Sequence, residues 1–425
     1  MTNYKKILNI ALPAMAENFL QMLMGMVDSY LVASLGLVAI SGVSVAGNII
    51  SIYQAIFIAL GAAVSSLISK SLGEGDRDNL AYHTNEAIKL TLILSVFLGL
   101  LSLVFGRQIL AWLGTEPAVA NAGGLYLALI GGTILLLGLT TTLGSLIRAT
   151  SNPRLPMYIS FLSNLLNVLF SSLAIFIFHM GIVGVALGTI LARLVGVLIL
   201  WKELSLPLAP WSWKVDWELL RLSLPAAGER LMMRAGDVVI IAIIVKFGTD
   251  AVAGNAIGEV LTQFNYMPGF GVATATVMLV AHAVGQADFQ TVRKLTKQTY
   301  WLSLGLMLAV ALLIFALGQP LTHLYTKDSG AVTASLSVIL FSLLGVPMTA
   351  GTVIYTAVWQ GLGNAKLPFY ATTVGMWLIR IVAGYFMGVT LGLGLPGVWT
   401  ATLLDNAFRW IFLQIIYQRK MRSQT

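Results

Sequence analysis

The chain has no cysteine and only four histidines in 425 residues. The first absence removes disulfides, thiolate nucleophiles and Cys-bound metals, though it says nothing of redox compartment. His83, His179, His282 and His323 fall in loops or near helix ends at no metal-ligating spacing, so each reads as structural or exposed. Charge is also scarce. Asp, Glu, Lys and Arg make up 10% of the residues, against roughly 25% in a soluble domain. No G-x-x-x-x-G-K-[ST] run occurs, which argues against a nucleotide bound to this chain as an energy source. No catalytic constellation gathers near one surface, which argues against a membrane enzyme.

What fills the sequence instead is apolar: 58% of residues, with a mean hydropathy of +0.87. Twelve apolar segments are each long enough to cross a hydrocarbon core that takes about 20 helical residues. They are 7–33, 40–69, 84–106, 120–147, 157–178, 182–201, 217–246, 252–281, 298–318, 332–359, 368–389 and 397–417. Backbone polar groups must be satisfied within lipid, so the segments are helices and the fold class is all-α, a polytopic membrane protein. The apolar run does not stop after the first segment, which argues against a cleaved signal peptide.

The formal net charge is +8, and its placement is more informative than its size. One set of loops carries Lys5, Lys6, Lys70, Arg77, Arg148, Arg154, Lys202, Lys214, Arg221, Arg293, Lys294, Lys297, Lys366, Arg419, Lys420 and Arg422. The opposite set carries Arg107, Lys246 and Lys327. This bias puts both termini in the cytoplasm. Scattered over short membrane loops, the charges do not form a nucleic-acid surface.

Two stretches repeat at a separation of 212 residues: Pro13 with Pro225, Glu17 with Glu229, Gly36 with Gly248, Gly42 with Gly254. The same offset carries Gly73-Glu74-Gly75-Asp76 onto Gly285-Gln286-Ala287-Asp288, and Asn152, Leu155, Pro156 and Tyr158 onto Asn364, Leu367, Pro368 and Tyr370. A duplicated membrane bundle is a common build of secondary transporters, with substrate between the repeats. Six helices per repeat give both halves one orientation, a parallel repeat of two pseudo-symmetric bundles. The expected domains are an N-terminal lobe (1–203), a cytoplasmic linker (204–216) and a C-terminal lobe (217–425). The linker's Pro207, Pro210, Trp211 and Trp213 among charges suit a strap at the membrane surface.

An ionisable group inside a span costs at least roughly 2.5 kcal/mol on insertion scales, so it persists when paired, hydrated or functional. The acids in the spans are Glu17, Asp28, Glu229, Asp237, Glu259 and Asp405; the bases are Arg193, Arg230, Arg234, Arg380 and Arg409. The seventh segment reads as balancing its own charge, with Arg234 and Asp237 three residues apart on one face. The first carries Glu17 and Asp28 with no internal base. Eleven residues bring both carboxylates to one side, about 16 Å apart along the axis, too far to share a proton. Arg193 is a candidate neutraliser of Glu17. The fifth segment places Asn164, Asn167 and Ser171 at three- and four-residue spacing, able to hold a carboxylate, water or cation. The candidate cation-coupling residues are therefore Asp28, Glu17, Asn167, Ser171 and Asn164. Met24, Gln54, Glu229, Asn255 and Met267 are candidate cavity residues, methionine being adaptable to differently shaped ligands.

These residues resemble a family. Ala11-Leu12-Pro13, then Gly25-Met26-Val27-Asp28-Ser29, Leu35-Gly36 and Ala39-Ile40-Ser41-Gly42 are similar to the start of multidrug and toxic compound extrusion (MATE) transporters. Leu224-Pro225-Ala226-Ala227-Gly228-Glu229-Arg230-Leu231 and Met267-Pro268-Gly269-Phe270-Gly271 resemble a bacterial branch near the DNA-damage-inducible F type. The resemblance implies twelve helices in two lobes around a V-shaped cavity. It also implies antiport of amphipathic, often cationic compounds against H⁺ or Na⁺, in a bacterial or archaeal inner membrane. Asp28 falls on the family's coupling Asp, and Asn167 on its supporting Asn. The sequence departs from the family at Ser171, where an Asp is frequent, and at Met233, where the Na⁺-coupled branch has Glu. H⁺ is the favoured coupling ion, with Na⁺ at Asp28 the other choice. No cofactor is expected, and the chain is expected to act as a monomer. The rival reading is a lipid-linked oligosaccharide flippase of the same superfamily, which would need cavity-facing arginines such as Arg193, Arg380 or Arg409. A major-facilitator transporter shares helix count and repeat but not these motifs.

Overall fold

A chain this apolar satisfies its backbone by local hydrogen bonding, and every regular element in the computed structural model, which describes residues 3–150 and 152–424, is helical. In order these are α1 (Asn3–Ala33), α2 (Leu37–Glu74), α3 (Arg77–Trp112), α4 (Pro117–Tyr126), α5 (Ile134–Thr150), α6 (Leu155–Phe176) and α7 (Gly181–Glu203). Then follow α8 (Trp217–Val245), α9 (Thr249–Gly285), α10 (Phe289–Ala316), the short α11 (Gly318–His323), α12 (Ser329–Leu344), α13 (Val346–Gly361), α14 (Lys366–Val374), α15 (Val382–Tyr385) and α16 (Leu395–Arg422).

Nine of the twelve predicted segments lie on single rods, and 120–147, 332–359 and 368–389 each run over two or more of them. Eight single stretches are long and apolar enough to span, one of them the composite Lys366–Thr390. Two more spans are bent pairs: α4 with α5, broken by 43°, and α12 with α13, broken by 57°. The first break follows π-helical Leu127–Gly131. The second falls at Gly345 with Pro347 just beyond, where a backbone donor is missing. The remaining two spans, α8 and α16, carry most of the in-span ionisable residues of the C-terminal half, with Glu259 on α9 and Arg380 in Lys366–Thr390. The fold is thus twelve helices in a multi-pass membrane protein.

The chain forms two compact units, Ala16–Leu220 and Met1–Met15 with Arg221–Thr425. The division falls inside α1, three residues after Pro13. In the second unit, Ile7 and Ala11 of α1 join a core with Val272, Ile354, Val358 and Leu413.

Residues 204–216 have no regular structure and are fastened to α3. The buried Lys89 ammonium donates to Glu86 Oε1 at 2.5 Å and to the Ser212 and Lys214 carbonyls at 2.7 Å each. His83 Nδ1 meets Asp216 Oδ2 at 2.7 Å, and Asp216 Oδ1 accepts the Leu219 N–H at 3.0 Å, capping α8. Burial pushes the Asp216 carboxyl up, but the hydrogen bonds from His83 and the backbone outweigh it and hold Asp216 below the usual carboxylate range. A lowered folded value stabilises the fold above the unfolded value, about 3.9, and that contribution fades as pH falls through the folded one. Asp216→Asn should therefore lower the melting temperature at pH 7 and narrow the gap to wild type near pH 3. An equal deficit at both pH values would contradict this.

Candidate cation site

The site is built where α1, α6 and α7 meet. On α7, Gly184 and Gly188 stand four residues apart, a small-residue spacing that lets helices approach closely. A Cβ at Gly188 would overlap the Ser171 hydroxyl and lie 2.7 Å from the Ser171 backbone nitrogen. Gly188 thus sets how near α6 comes. Gly188→Val should separate the two helices and cost on the order of 2 kcal/mol of stability, the scale of overpacking. A thermal melt of purified protein reads it, and an unchanged midpoint would count against the close approach.

The contact brings one acid and three neutral polar groups together. Asp28 on α1 is 8% exposed. Asn167 Nδ2 donates to Asp28 Oδ1 at 2.7 Å. Thr189 Oγ1 lies 3.4 Å from Asp28 Oδ2, 3.1 Å from Asn167 Oδ1 and 3.1 Å from the Val185 carbonyl. Ser171 Oγ donates to Asn167 Oδ1 at 3.1 Å. Asn167 and Ser171 are fully buried. Among the described residues no Lys or Arg nitrogen lies within ion-pair distance of Asp28. Arg193, one turn beyond Thr189 on α7, acts on it only through space, as it does on the Tyr126 hydroxyl at the end of α4.

Hydrogen accounting shows what this arrangement can do. Thr189 owns one hydroxyl proton and has three acceptors in reach. With Asp28 ionised, that proton can go to Oδ2. With Asp28 protonated, the carboxyl can donate to Thr189, which turns to Asn167 or Val185. The site accommodates both protonation states by reversing one hydroxyl, leaving no buried donor stranded.

The other candidates fall elsewhere. Asn164 turns back to the Ser160 carbonyl at 2.8 Å and does not reach Asp28. Glu17 is ion-paired with Arg148 of α5, not with Arg193. The expected partner was wrong because Arg148 ends α5 beside the first half of α1, whereas Arg193 lies level with Asp28. Met24 is half-buried and Gln54 bonds Gln21 at 3.3 Å. Those two belong to the first unit. In the second unit Met267 is half-buried, and Asn255 Oδ1 accepts the Trp399 indole N–H at 3.0 Å. Glu229 Oε1 accepts from Thr372 at 3.0 Å. Thr189 and Tyr126 were not among the sequence candidates, and neither were Lys89 and Glu86 of predicted span 84–106. The one available sign for Thr189 was its place four residues before the in-span Arg193.

The seventh segment does not pair Arg234 with Asp237 in contact, although Glu229 and Arg230 act on each other through space. Asp237 pairs with Arg380 at 3.9 Å, while Arg234 is exposed and makes no ion pair among the described residues. Arg380 and Arg409 converge instead on Asp405, which is fully buried. Arg380 Nη2 lies 2.8 Å from Oδ2, and Arg409 Nε and Nη2 lie 2.8 and 2.9 Å from Oδ1 and Oδ2. Arg380 stands in π-helical Gly375–Ile381. A side chain at Gly375 would overlap the Asp405 carboxylate.

Comparisons with known proteins agree with this architecture. The sequence model of the MatE family matches residues 13–173 and 225–386. A probable multidrug resistance protein NorM of Thermotoga maritima is 28% identical over 95% of this chain and 90% of its own. A protein described in the same words from Neisseria meningitidis is 23% identical over 97% of this chain and 94% of its own. Among solved structures, a MOP superfamily transporter from Pyrococcus furiosus, described as having a binding pocket of reversed polarity, superposes with a TM-score of 0.91. It is 19% identical and aligns over 99% of this chain and 96% of that one, a likeness of fold.

Proposed function

The chain belongs to the MatE family, and on that premise we propose that it is a cation-coupled multidrug antiporter, exporting amphipathic organic cations from a bacterial or archaeal cell by alternating access. The proton is the coupling ion. The observation that carries this is Asp28 itself: a buried carboxylate held only by neutral donors, in surroundings that suit its charged and neutral forms alike. An acid clamped by a guanidinium is fixed in its charged form; this one is free to exchange a proton. The oxygens a sodium ion would need are partly committed, since Asn167 Oδ1 already accepts from Ser171 and the Thr189 hydroxyl lies 3.1 Å from it.

Protonation removes the charge that Arg193 feels and redirects Thr189, so it alters how α1 packs on α6 and α7. For this to drive transport, proton and substrate must bind the two conformations with different affinity. The test is efflux of a fluorescent amphipathic cation from proteoliposomes under separately imposed gradients. A pH gradient should drive it and a sodium gradient alone should not. Efflux driven equally by sodium alone would refute proton coupling, and no response to either would refute antiport.

A further inference from the structure

A second polar feature lies in the C-terminal unit, away from the acids and unrelated to the coupling site. A cavity of about 430 Å³ opens between α10, α13 and α16 at the end where α9 turns into α10. The Lys/Arg bias assigns this end to the cytoplasm. Arg293 and Lys297 stand on the second and third turns of α10, and Tyr300, Trp301, Trp410 and Tyr417 also line the cavity. No carboxylate lines it among the described residues. Arg293 donates through Nη2 to the Met421 carbonyl. Lys297 is exposed and makes no ion pair or hydrogen bond among the described residues. Tyr300 and Trp410 stack with centroids 5.4 Å apart, and the buried Trp410 indole N–H has no acceptor among the described residues.

The internal repeat makes the contents of this cavity informative. At the 212-residue offset, His83, Glu86 and Lys89 correspond to Leu295, Gln298 and Trp301. In the N-terminal unit these positions grip residues 212–216, whose Asp216 carboxylate and two carbonyls satisfy His83 and Lys89. In the C-terminal unit the counterpart of Lys89 is Trp301, which lines the cavity. Nearby, Lys297 and the Trp410 indole N–H are left without such acceptors among the described residues, and Arg293 has a backbone carbonyl but no carboxylate.

We propose that this cavity seats the phosphodiester headgroup of an anionic phospholipid from the adjoining leaflet. Two bases with no acid select net negative charge, because a zwitterionic headgroup brings its own cation. The order of the lining fits a lipid: charge at the helix ends, then a belt of Tyr and Trp, which suits the membrane interface. Below it, Trp301, Leu308 and Leu312 are exposed along one face of α10 at i, i+7 and i+11, a track for an acyl chain that a free phosphate would not need.

The test is native mass spectrometry of the full chain released from nanodiscs of mixed phosphatidylglycerol and phosphatidylcholine, with inorganic phosphate as a separate arm. Wild type should retain phosphatidylglycerol selectively. Arg293→Ala with Lys297→Ala should reduce that retention roughly tenfold or more, two charges each contributing on the scale known for basic residues at anionic surfaces. Lys297→Gln alone, at an exposed position, guards against misfolding and should reduce it several-fold. Equal retention of both lipids by wild type, or selectivity unchanged in Lys297→Gln and the double variant, overturns the proposal. So does inorganic phosphate stripping the lipid at millimolar concentration, which would mark a site for the free ion.

Discussion

Asp28→Asn should reduce pH-gradient-driven efflux to the level of protein-free liposomes while the protein folds and purifies as wild type. The amide keeps the size of the side chain and an acceptor for Asn167 Nδ2, now 2.7 Å from Asp28 Oδ1. What it loses is the capacity to bind and release a proton. Coupling through a single group is all or nothing in that respect, so the loss should be complete, with no residual driven flux. Burial of an amide with hydrogen-bonding neighbours costs less than burial of an unpaired charge, so stability should hold or rise. Asp28→Glu should retain part of the driven flux, because the acid survives and only its reach changes. Driven efflux by Asp28→Asn at the wild-type rate would sink the coupling assignment.

Glu17→Gln supplies the contrast on the same helix. Glu17 is fixed by Arg148, whose Nε already lacks an acceptor among the described residues. Removing the acid strands a largely buried guanidinium, so this variant should lose stability while the protein that folds remains coupled. Two acids eleven residues apart on one helix thus separate by experiment into a coupling group and a structural one.

The sequence made some of this legible and hid the rest for a physical reason. Hydropathy marks helices, because the bilayer enforces both length and composition, and the twelve segments matched the rods to within a few residues at most ends. Spacing along one helix also fixed a face: Asn167 and Ser171, four apart, are bonded to each other. Spacing does not say which neighbouring helix that face meets. Hence Glu17 could be matched with Arg193 when Arg148 holds it, and Arg234 with Asp237 when Arg380 does. Asn164 shows a further limit, since an Asn within a helix can satisfy itself on the carbonyl four residues back. Thr189 gave little sign, because threonine in a membrane helix usually bonds its own backbone, as it also does here with Val185. Pro and Trp residues mark 204–216 as a break between helices, but its fastening at Lys89 rests on hydrogen bonds across more than 120 residues of sequence.

Asp405→Ala should be among the most damaging substitutions in the C-terminal unit. Its carboxylate is fully buried, takes two hydrogen bonds from Arg409 and is ion-paired with Arg380 at 2.8 Å, and Arg409 reaches on to Asn406 at 2.9 Å. Arg380 has one other ion pair, with Asp237 at 3.9 Å, and its Nε is buried without an acceptor among the described residues. Without Asp405, two buried cations would face each other, a change that costs about 3–5 kcal/mol when a buried pair is broken from one side. The expected readout is a lower melting temperature and a smaller folded fraction on gel filtration. Replacing Asp405, Arg380 and Arg409 together by Leu, Met and Leu should recover most of the loss, since apolar groups of similar volume remove the cost of burying charge. Recovery would show that these acids and bases hold α8, the Lys366–Thr390 span and α16 together. A triple variant as unstable as the single one would mean that the charges do more than cancel. Arg380 and Arg409 are both ion-paired with the buried Asp405, so they are poorly placed to receive an anionic cargo, and this bears against a flippase. Asp28, by contrast, has no guanidinium in contact among the described residues, which supports the coupling role proposed for it.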